Sequence, residues 1–400
     1  MPNFISEDAI EKAILKRLKE QLGFELLNCH TSDAEDLNDR SGRNDKQEVI
    51  LGERLKEAAI RINPGIPESA IYQALAVFTD KRYAMSPIAA NREIDGLIRD
   101  GIPVEFESAQ GKKEQERVRV IDFDPGSKLN SYLAVSQLWI KGERNYRRPD
   151  ILLYVNGIPL VFIELKNSNV KLKAAYDDNL SNYRKEIPQL FLFNAFCILS
   201  NAVETKVGSF KSPWEFFFKW LRVESEKEKV NPEKIQQEGT SVELAVAGLC
   251  APARLLDYLE NFIIYHKETE KIIAQNHQFI GVNNAFQAFL ERKNKEGKLG
   301  VFWHTQGSGK SFSMIFYVRK IFRKLTGNFT FVVITDREDL DGQIYRNFLN
   351  TGTVKKHEAA QPKNSGEMRK FLGQNKRLVF TLIQKFRFDK GKEYPLLSDR

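Results

Sequence analysis

Apolar positions early in the chain recur at helical spacing. Ile10, Ala13, Ile14 and Leu18 share one face, and Ser6 is placed to cap a helix predicted over residues 4–21. Residues 31–46 break this rhythm with Asp33, Asp36, Asp39, Arg40 and Arg43, the composition of a surface loop. Helical patterning returns over 48–62 and 67–78, split by the breaker Asn63-Pro64-Gly65, and again over 91–99, ending before Gly101. The period then changes to two. Strands are predicted over 117–123, 133–140, 151–155 and 160–166. The last two are joined by Asn156-Gly157, a dipeptide that suits a two-residue hairpin turn. A helix over 173–185 and strands over 195–200 and 205–207 follow.

This first α/β region closes near residues 210–240, where the polar stretch 224–240 is the best linker candidate. Helices are predicted over 242–249 and 255–264. Next comes a strand–loop–helix unit: a strand over 299–303, a glycine-rich loop and a helix over 312–325. The apolar, β-branched segments 331–335 and 377–382 have the character of central parallel strands. The sequence has no internal repeats and no low-complexity tract.

Composition narrows the functional classes. The 400 residues hold 42% hydrophobic and 28% charged residues, an ordinary globular balance with room for more than one core. Lys and Arg number 61 against 53 Asp and Glu, a formal net charge of +8. The isoelectric point of about 9.1 raises the expectation of a nucleic-acid partner. Cys29, Cys197 and Cys250 are too scattered for a disulfide framework or a paired-cysteine metal site, so a reducing cytoplasm is expected. The five histidines lack zinc-ligand spacing, and no apolar run is long enough for a membrane span.

Two segments carry chemistry. The first runs from Arg148-Pro149-Asp150 through the hairpin to Glu164-Leu165-Lys166. Strand alternation puts Leu160, Phe162, Glu164 and Lys166 on one face, and the hairpin returns Asp150 to the same end of the sheet. Two carboxylates and an ammonium converge there. Mg²⁺ takes oxygen ligands of this kind, and a nearby lysine stabilises charge building on a phosphoryl oxygen. The backbone carbonyl of Leu165 is a further ligand candidate. A solvated hairpin tip is the alternative reading.

The second segment is Trp303-His304-Thr305-Gln306-Gly307-Ser308-Gly309-Lys310-Ser311. Gly307 and Gly309 allow successive backbone N–H groups to face phosphates, Lys310 is the phosphate-reaching lysine, and Ser311 is the Mg²⁺-side hydroxyl. The following helix adds the positive end of its dipole. His304 or Thr305 stands where the general phosphate-loop pattern has a small residue.

The first set resembles the PD-(D/E)xK nuclease superfamily, with Asp150, Glu164 and Lys166 on its motif positions. Taken with the glycine-rich loop, the chain resembles the restriction (R) subunit of Type I restriction-modification enzymes. That branch has Gln-x-x-x-Tyr on the helix after the catalytic strand; here Asn179 and Tyr183 hold those places, the asparagine one methylene shorter. Glu7 or Glu11 is a candidate for a further acidic residue. Gln278 stands where superfamily 2 helicases read adenine; the segments beginning at Phe331 and Thr381 resemble motor segments, the latter DNA-contacting and running through Lys385 and Phe386.

The resemblance implies a PD-(D/E)xK-type endonuclease domain over 1–235, a connection over 236–265 and a RecA-like motor domain over 266–400. No Asp-Glu-x-His box precedes Arg400, so the motor is expected to be incomplete and the chain the N-terminal part of a larger protein. It further implies an ATP- and Mg²⁺-dependent Type I site-specific deoxyribonuclease acting on double-stranded DNA beside methyltransferase (M) and specificity (S) subunits. The competing readings are a standalone PD-(D/E)xK nuclease or resolvase and a non-catalytic DNA-binding assembly module.

Overall fold

The computed structural model describes residues 5–107 and 110–386. Phe4, at the start of the expected first helix, and residues 387–400 of the expected motor domain lie outside them. The chain divides into two compact units, Met1–Ile263 with Lys271–Asn276, and Ile264–Glu270 with His277–Arg400. Each is a mixture of helices and strands. Among the described residues no helix is long and apolar enough to cross a membrane.

The first unit opens with helix α1 (Glu7–Glu20), capped by Ser6, whose hydroxyl accepts from Ala9 N. Its buried positions are Ile10, Ile14 and Leu18, as the spacing requires. Strand β1 (Glu25–Asn28) follows, then helices α2 (Gly52–Ile62), α3 (Glu68–Thr79) and α4 (Pro87–Asp100). The sheet continues with β2 (Tyr132–Ser136), β3 (Ile151–Val155), β4 (Ile158–Leu165), β5 (Phe196–Ser200), β6 (Thr205–Gly208) and β7 (Phe218–Lys219). These seven strands lie side by side in chain order. The β1–β2 and β4–β5 pairs are parallel and the other pairs antiparallel. Every residue of β4 is buried, which explains why its sequence is a nearly continuous apolar run.

At the turn between β3 and β4, Asn156 (φ 52°) and Gly157 (φ 79°) both adopt the left-handed conformation that a tight hairpin needs. Gly157 is also wedged against α2: a Cβ there would meet the Leu51 carbonyl at 2.5 Å. The 29–50 segment is held by a buried ionic cluster. Arg43 and Lys46 reach Asp39 Oδ2 at 2.8 and 2.7 Å, and Arg43 also donates to the Trp139 carbonyl.

Several elements depart from expectation. The strand expected over 133–140 ends at Ser136, because Gln137 turns to φ 58°. The strand expected over 117–123 is instead Lys113–Val118, paired with Ile102–Glu107; its residues Lys113–Arg117 are exposed and polar, so no apolar alternation marks them in the sequence. The helix expected over 173–185 begins as a π-helical turn (Ala175–Leu180) and continues as α5 (Ser181–Glu186). Part of the expected linker is helical, over Pro232–Glu238. Helices α6 (Ser241–Cys250) and α7 (Pro252–Asn261), expected as a connection, pack within the first unit. Val242, Ala245, Val246 and Leu249 are buried, and α6 contacts α1, β5 and β6.

The second unit contains α8 (Asn276–Leu290, from His277 onward), α9 (Lys310–Lys324), β8 (Phe331–Thr335), α10 (Glu338–Asn350), β9 (Ala359–Ala360), α11 (Ser365–Leu372) and β10 (Leu378–Leu382). Its sheet is parallel, in the order β8-β10-β9. Tyr345 and Phe348 of α10 meet Phe380 of β10 edge-on. The strand expected over 299–303 is an irregular segment. Val301 and Trp303 are 93% and 79% exposed there, so its apolar pattern is not matched by a neighbouring strand that would fix it in a sheet.

Candidate functional site

Register brings the acidic residues together. Ile151 pairs with Ile163, so Asp150, just before β3, lies level with the C-terminal end of β4. Asp150 Oδ2 accepts the backbone N–H of Leu165 at 2.7 Å, and the Asp150 carbonyl accepts from Gln137 N at 3.1 Å. Glu164 lies on the same strand end, 2% exposed, and Lys166 Nζ stands 3.8 Å from its Oε1. Asp150, Glu164 and Lys166 therefore gather at one end of the hairpin.

The remaining expected residues surround them. Asn179 Nδ2 donates to Glu164 Oε1. Tyr183 donates to the Arg148 carbonyl at 3.3 Å and sets its ring edge-on to Phe162. Burial pushes the Tyr183 phenol far above its usual range, with the nearby Glu164 and Asp150 charges adding to it, so it serves here as a donor and a packing surface. Glu11 Oε2 accepts from Gln137 Nε2 at 2.7 Å, whereas Glu7 Oε1 accepts from Asn167 N at 3.2 Å. Gln137 ties α1 to Asp150 through both backbone and side chain. Only its left-handed backbone exposes that role, and its surrounding sequence reads as strand.

The electrostatics disfavour the charged form of both carboxylates. Burial raises Asp150 to about 6, against the opposing Leu165 N–H and Lys166, with Glu11 and Glu7 adding to the rise. Burial and then the Asp150 charge push Glu164 well above the usual carboxylate range. Glu164 Oε2 is buried without a hydrogen-bond partner. Two carboxylates in low dielectric, one with an orphaned oxygen, fit a hard divalent ion that takes oxygen ligands. Among the described residues no group of three or more His, Cys, Asp or Glu could hold a metal. An ion bound here would therefore rely on backbone or water oxygens beside the pair.

In the second unit, Gly307 (φ 81°) and Gly309 (φ 78°) shape the loop, and Gly309 forms the N-cap of α9. Lys310 and Ser311 open that helix. Lys310 Nζ donates to the carbonyls of His304 and Thr305 at 2.9 and 3.0 Å. The Ser308 hydroxyl is buried without a hydrogen-bond partner. Gln278 is 3% exposed and donates to the Gly309 carbonyl at 3.0 Å, bracing the loop from behind. His277, which the sequence did not single out, meets the Ser308 carbonyl at 3.0 Å. Of the segment expected to contact DNA, Thr381 is fully buried against Met368, and Gln384 and Lys385 bond to the carbonyls of Asp336 and Pro362.

The molecule is thus a two-unit α/β protein, with an acidic pair, Glu164 buried and Asp150 half-buried, beside a lysine on one unit and a glycine-rich loop opening a helix on the other. It belongs to the family described as Type I restriction enzyme R protein N terminus, whose model matches residues 4–216. Residues 277–400 match the SWI2/SNF2 ATPase model. The chain is 34% identical over 410 residues to the Type I restriction enzyme HindI endonuclease subunit of Haemophilus influenzae, across 99% of this chain and 38% of that protein. It is 30% identical over 424 residues to the Putative type I restriction enzyme MjaIXP endonuclease subunit of Methanocaldococcus jannaschii, across 99% of this chain and 39% of that protein. The chain therefore spans less than two fifths of the HindI subunit's length.

Proposed function

We propose that this chain supplies the nuclease and the nucleotide-binding start of the motor in a Type I restriction complex. The complex translocates double-stranded DNA with ATP and cleaves it with Mg²⁺, beside M and S subunits in the cytoplasm. The first unit takes the PD-(D/E)xK nuclease fold, with its core domain over 1–235. The RecA-like P-loop domain begins near residue 266.

The observation that carries this reading is the convergence of Asp150, Glu164 and Lys166 around an orphaned Glu164 oxygen. Asp150 and Glu164 would hold the ion, with the N–H of Leu165 fixing the Asp150 carboxylate. A bound Mg²⁺ would supply Lewis acidity toward the phosphate and lower the pKa of a water. Lys166 meets the charge that develops on the phosphoryl oxygens. In the second unit, Gly307, Ser308 and Gly309 offer backbone N–H groups to phosphates. Lys310 exchanges its two carbonyl partners for them, and Ser311 stands at the head of α9 for the metal side.

The test is DNA cleavage by the reconstituted complex with ATP and Mg²⁺. Asp150→Asn and Glu164→Gln are each expected to abolish cleavage while ATP hydrolysis continues. Lys310→Ala is expected to abolish nucleotide binding, translocation and hence cleavage. Wild-type cleavage in either carboxylate variant would remove the nuclease assignment, and undiminished translocation in Lys310→Ala would remove the motor assignment.

A further inference from the structure

Between β4 and α5 the chain winds through the π-helical turn Ala175–Leu180. Such a turn holds one residue more than the α-helical turn it interrupts, and these bulges persist mostly at functional sites. Both ends of this one are pinned. At its start Tyr176 donates to the Ser212 carbonyl at 3.0 Å and packs against Trp214 and Phe217. One α-turn beyond Asn179, Tyr183 is fixed by the Arg148 carbonyl and Phe162. The extra residue is taken up between these anchors, on the stretch of backbone that carries Asn179. The amide of Asn179 closes on Glu164 Oε1, while Glu164 Oε2 is buried and has no partner.

We infer that the widened turn positions Asn179 so that its short amide fixes one oxygen of Glu164 and reserves the other for a divalent cation. The inference rests on the nuclease reading and deepens it. Asn179 is a positioning residue: it acts through Glu164 and holds neither metal nor substrate. The turn brings the backbone of residue 179 toward β4, so the reach of an asparagine suffices. A glutamine on the same turn overshoots Oε1 by a methylene and turns the carboxylate away from its ion-holding orientation.

The experiment titrates the 400-residue chain with Mn²⁺ by calorimetry, comparing wild type with Glu164→Gln, Asn179→Ala and Asn179→Gln. Glu164→Gln should abolish the site's binding. Asn179→Ala should weaken it by about 10–100-fold, the usual effect of removing a partner that orients a metal ligand. Asn179→Gln should weaken it by about tenfold or more, although it keeps the amide. Circular dichroism and thermal melting establish that each variant folds; should Asn179→Ala fail, Asn179→Ser replaces it with the same expectation. Wild-type affinity in Asn179→Ala, or in Asn179→Gln, overturns the inference while leaving the nuclease reading intact. Wild-type binding in Glu164→Gln overturns the nuclease reading, and this inference with it.

Discussion

Asp39 shows how a single side chain can hold a long irregular segment. Its carboxylate is fully buried and accepts from both Arg43 and Lys46. Burial alone would raise its pKa, but hydrogen bonds from Lys46, Ser41 and Arg43 outweigh that and hold it at about 2. A carboxylate whose folded pKa lies below its unfolded value stabilises the fold fully above the ordinary carboxylate range. That contribution fades as the pH falls toward about 2. Urea unfolding should therefore show a loss of ~2 kcal/mol attributable to this group between about pH 5 and pH 2. Asp39→Asn should remove that pH dependence and cost ~3–5 kcal/mol at neutral pH, because two cations are left buried without their carboxylate. Unchanged stability in Asp39→Asn at pH 7 would show that the cluster does not hold the segment. Asp150 and Glu164 present the opposite case, with raised pKa values and no comparable set of donors. That contrast supports the proposal that Asp150 and Glu164 serve chemistry, whereas Asp39 serves stability.

At the scale of elements, the hairpin of β3 and β4 places the site, and its turn fixes the register. Gly157→Ala adds a Cβ in a left-handed conformation and drives it into the Leu51 carbonyl and the Leu55 N–H, at 2.5 and 2.9 Å. A loss of roughly 1–3 kcal/mol is expected from backbone strain alone, read as a lower urea midpoint. A midpoint equal to wild type would mean that the turn relaxes freely. This hairpin was legible in the sequence because two apolar runs flank Asn-Gly, and the convergence of Asp150, Glu164 and Lys166 followed from strand alternation. The helix α1 was legible for a similar reason, since Ser6 and the apolar face give the same answer. What was hidden depends on neighbours. The apolar pattern of 299–303 predicts a strand, but a strand also needs a paired edge. The brief β1 shows too few alternating positions to be read. The π-helical turn differs from an α-turn by one hydrogen-bond register, which no side-chain pattern records. Gln137 reads as a strand residue until its backbone conformation is seen.

For the whole molecule, the excess of basic residues and the pair of sites give a joint expectation. The 400-residue chain should bind double-stranded DNA without strong sequence preference, since its net charge of +8 favours phosphate contacts. Raising salt from about 50 to 200 mM should weaken binding by about tenfold to a hundredfold, in keeping with a few neutralised phosphates. The same chain should bind ATP but show negligible steady-state turnover. Its sequence has no Asp-Glu-x-His run to position the attacking water beside the phosphate-cradling loop. Fluorescence anisotropy on labelled duplex and a phosphate-release assay measure the two. Salt-insensitive binding would remove the electrostatic account, and DNA-stimulated turnover lost in Lys310→Ala would place the missing carboxylates within these 400 residues.

The two compact units also interleave along the chain. Residues 264–270 belong with the second, and 271–276 return to the first. Within that returning piece, Lys271 is buried and donates to Asn91 Oδ1 and the Asn194 carbonyl at 2.9 and 2.6 Å. The first unit is therefore finished by residues synthesised after the first stretch of the second. No single peptide bond separates the two cleanly. A protease nicking once at 263 strands Lys271 on the wrong product, and a nick at 276 carries off the tip of its neighbour. Recombination that exchanged one unit for another would meet the same obstacle, so the pair is inherited most easily as one piece.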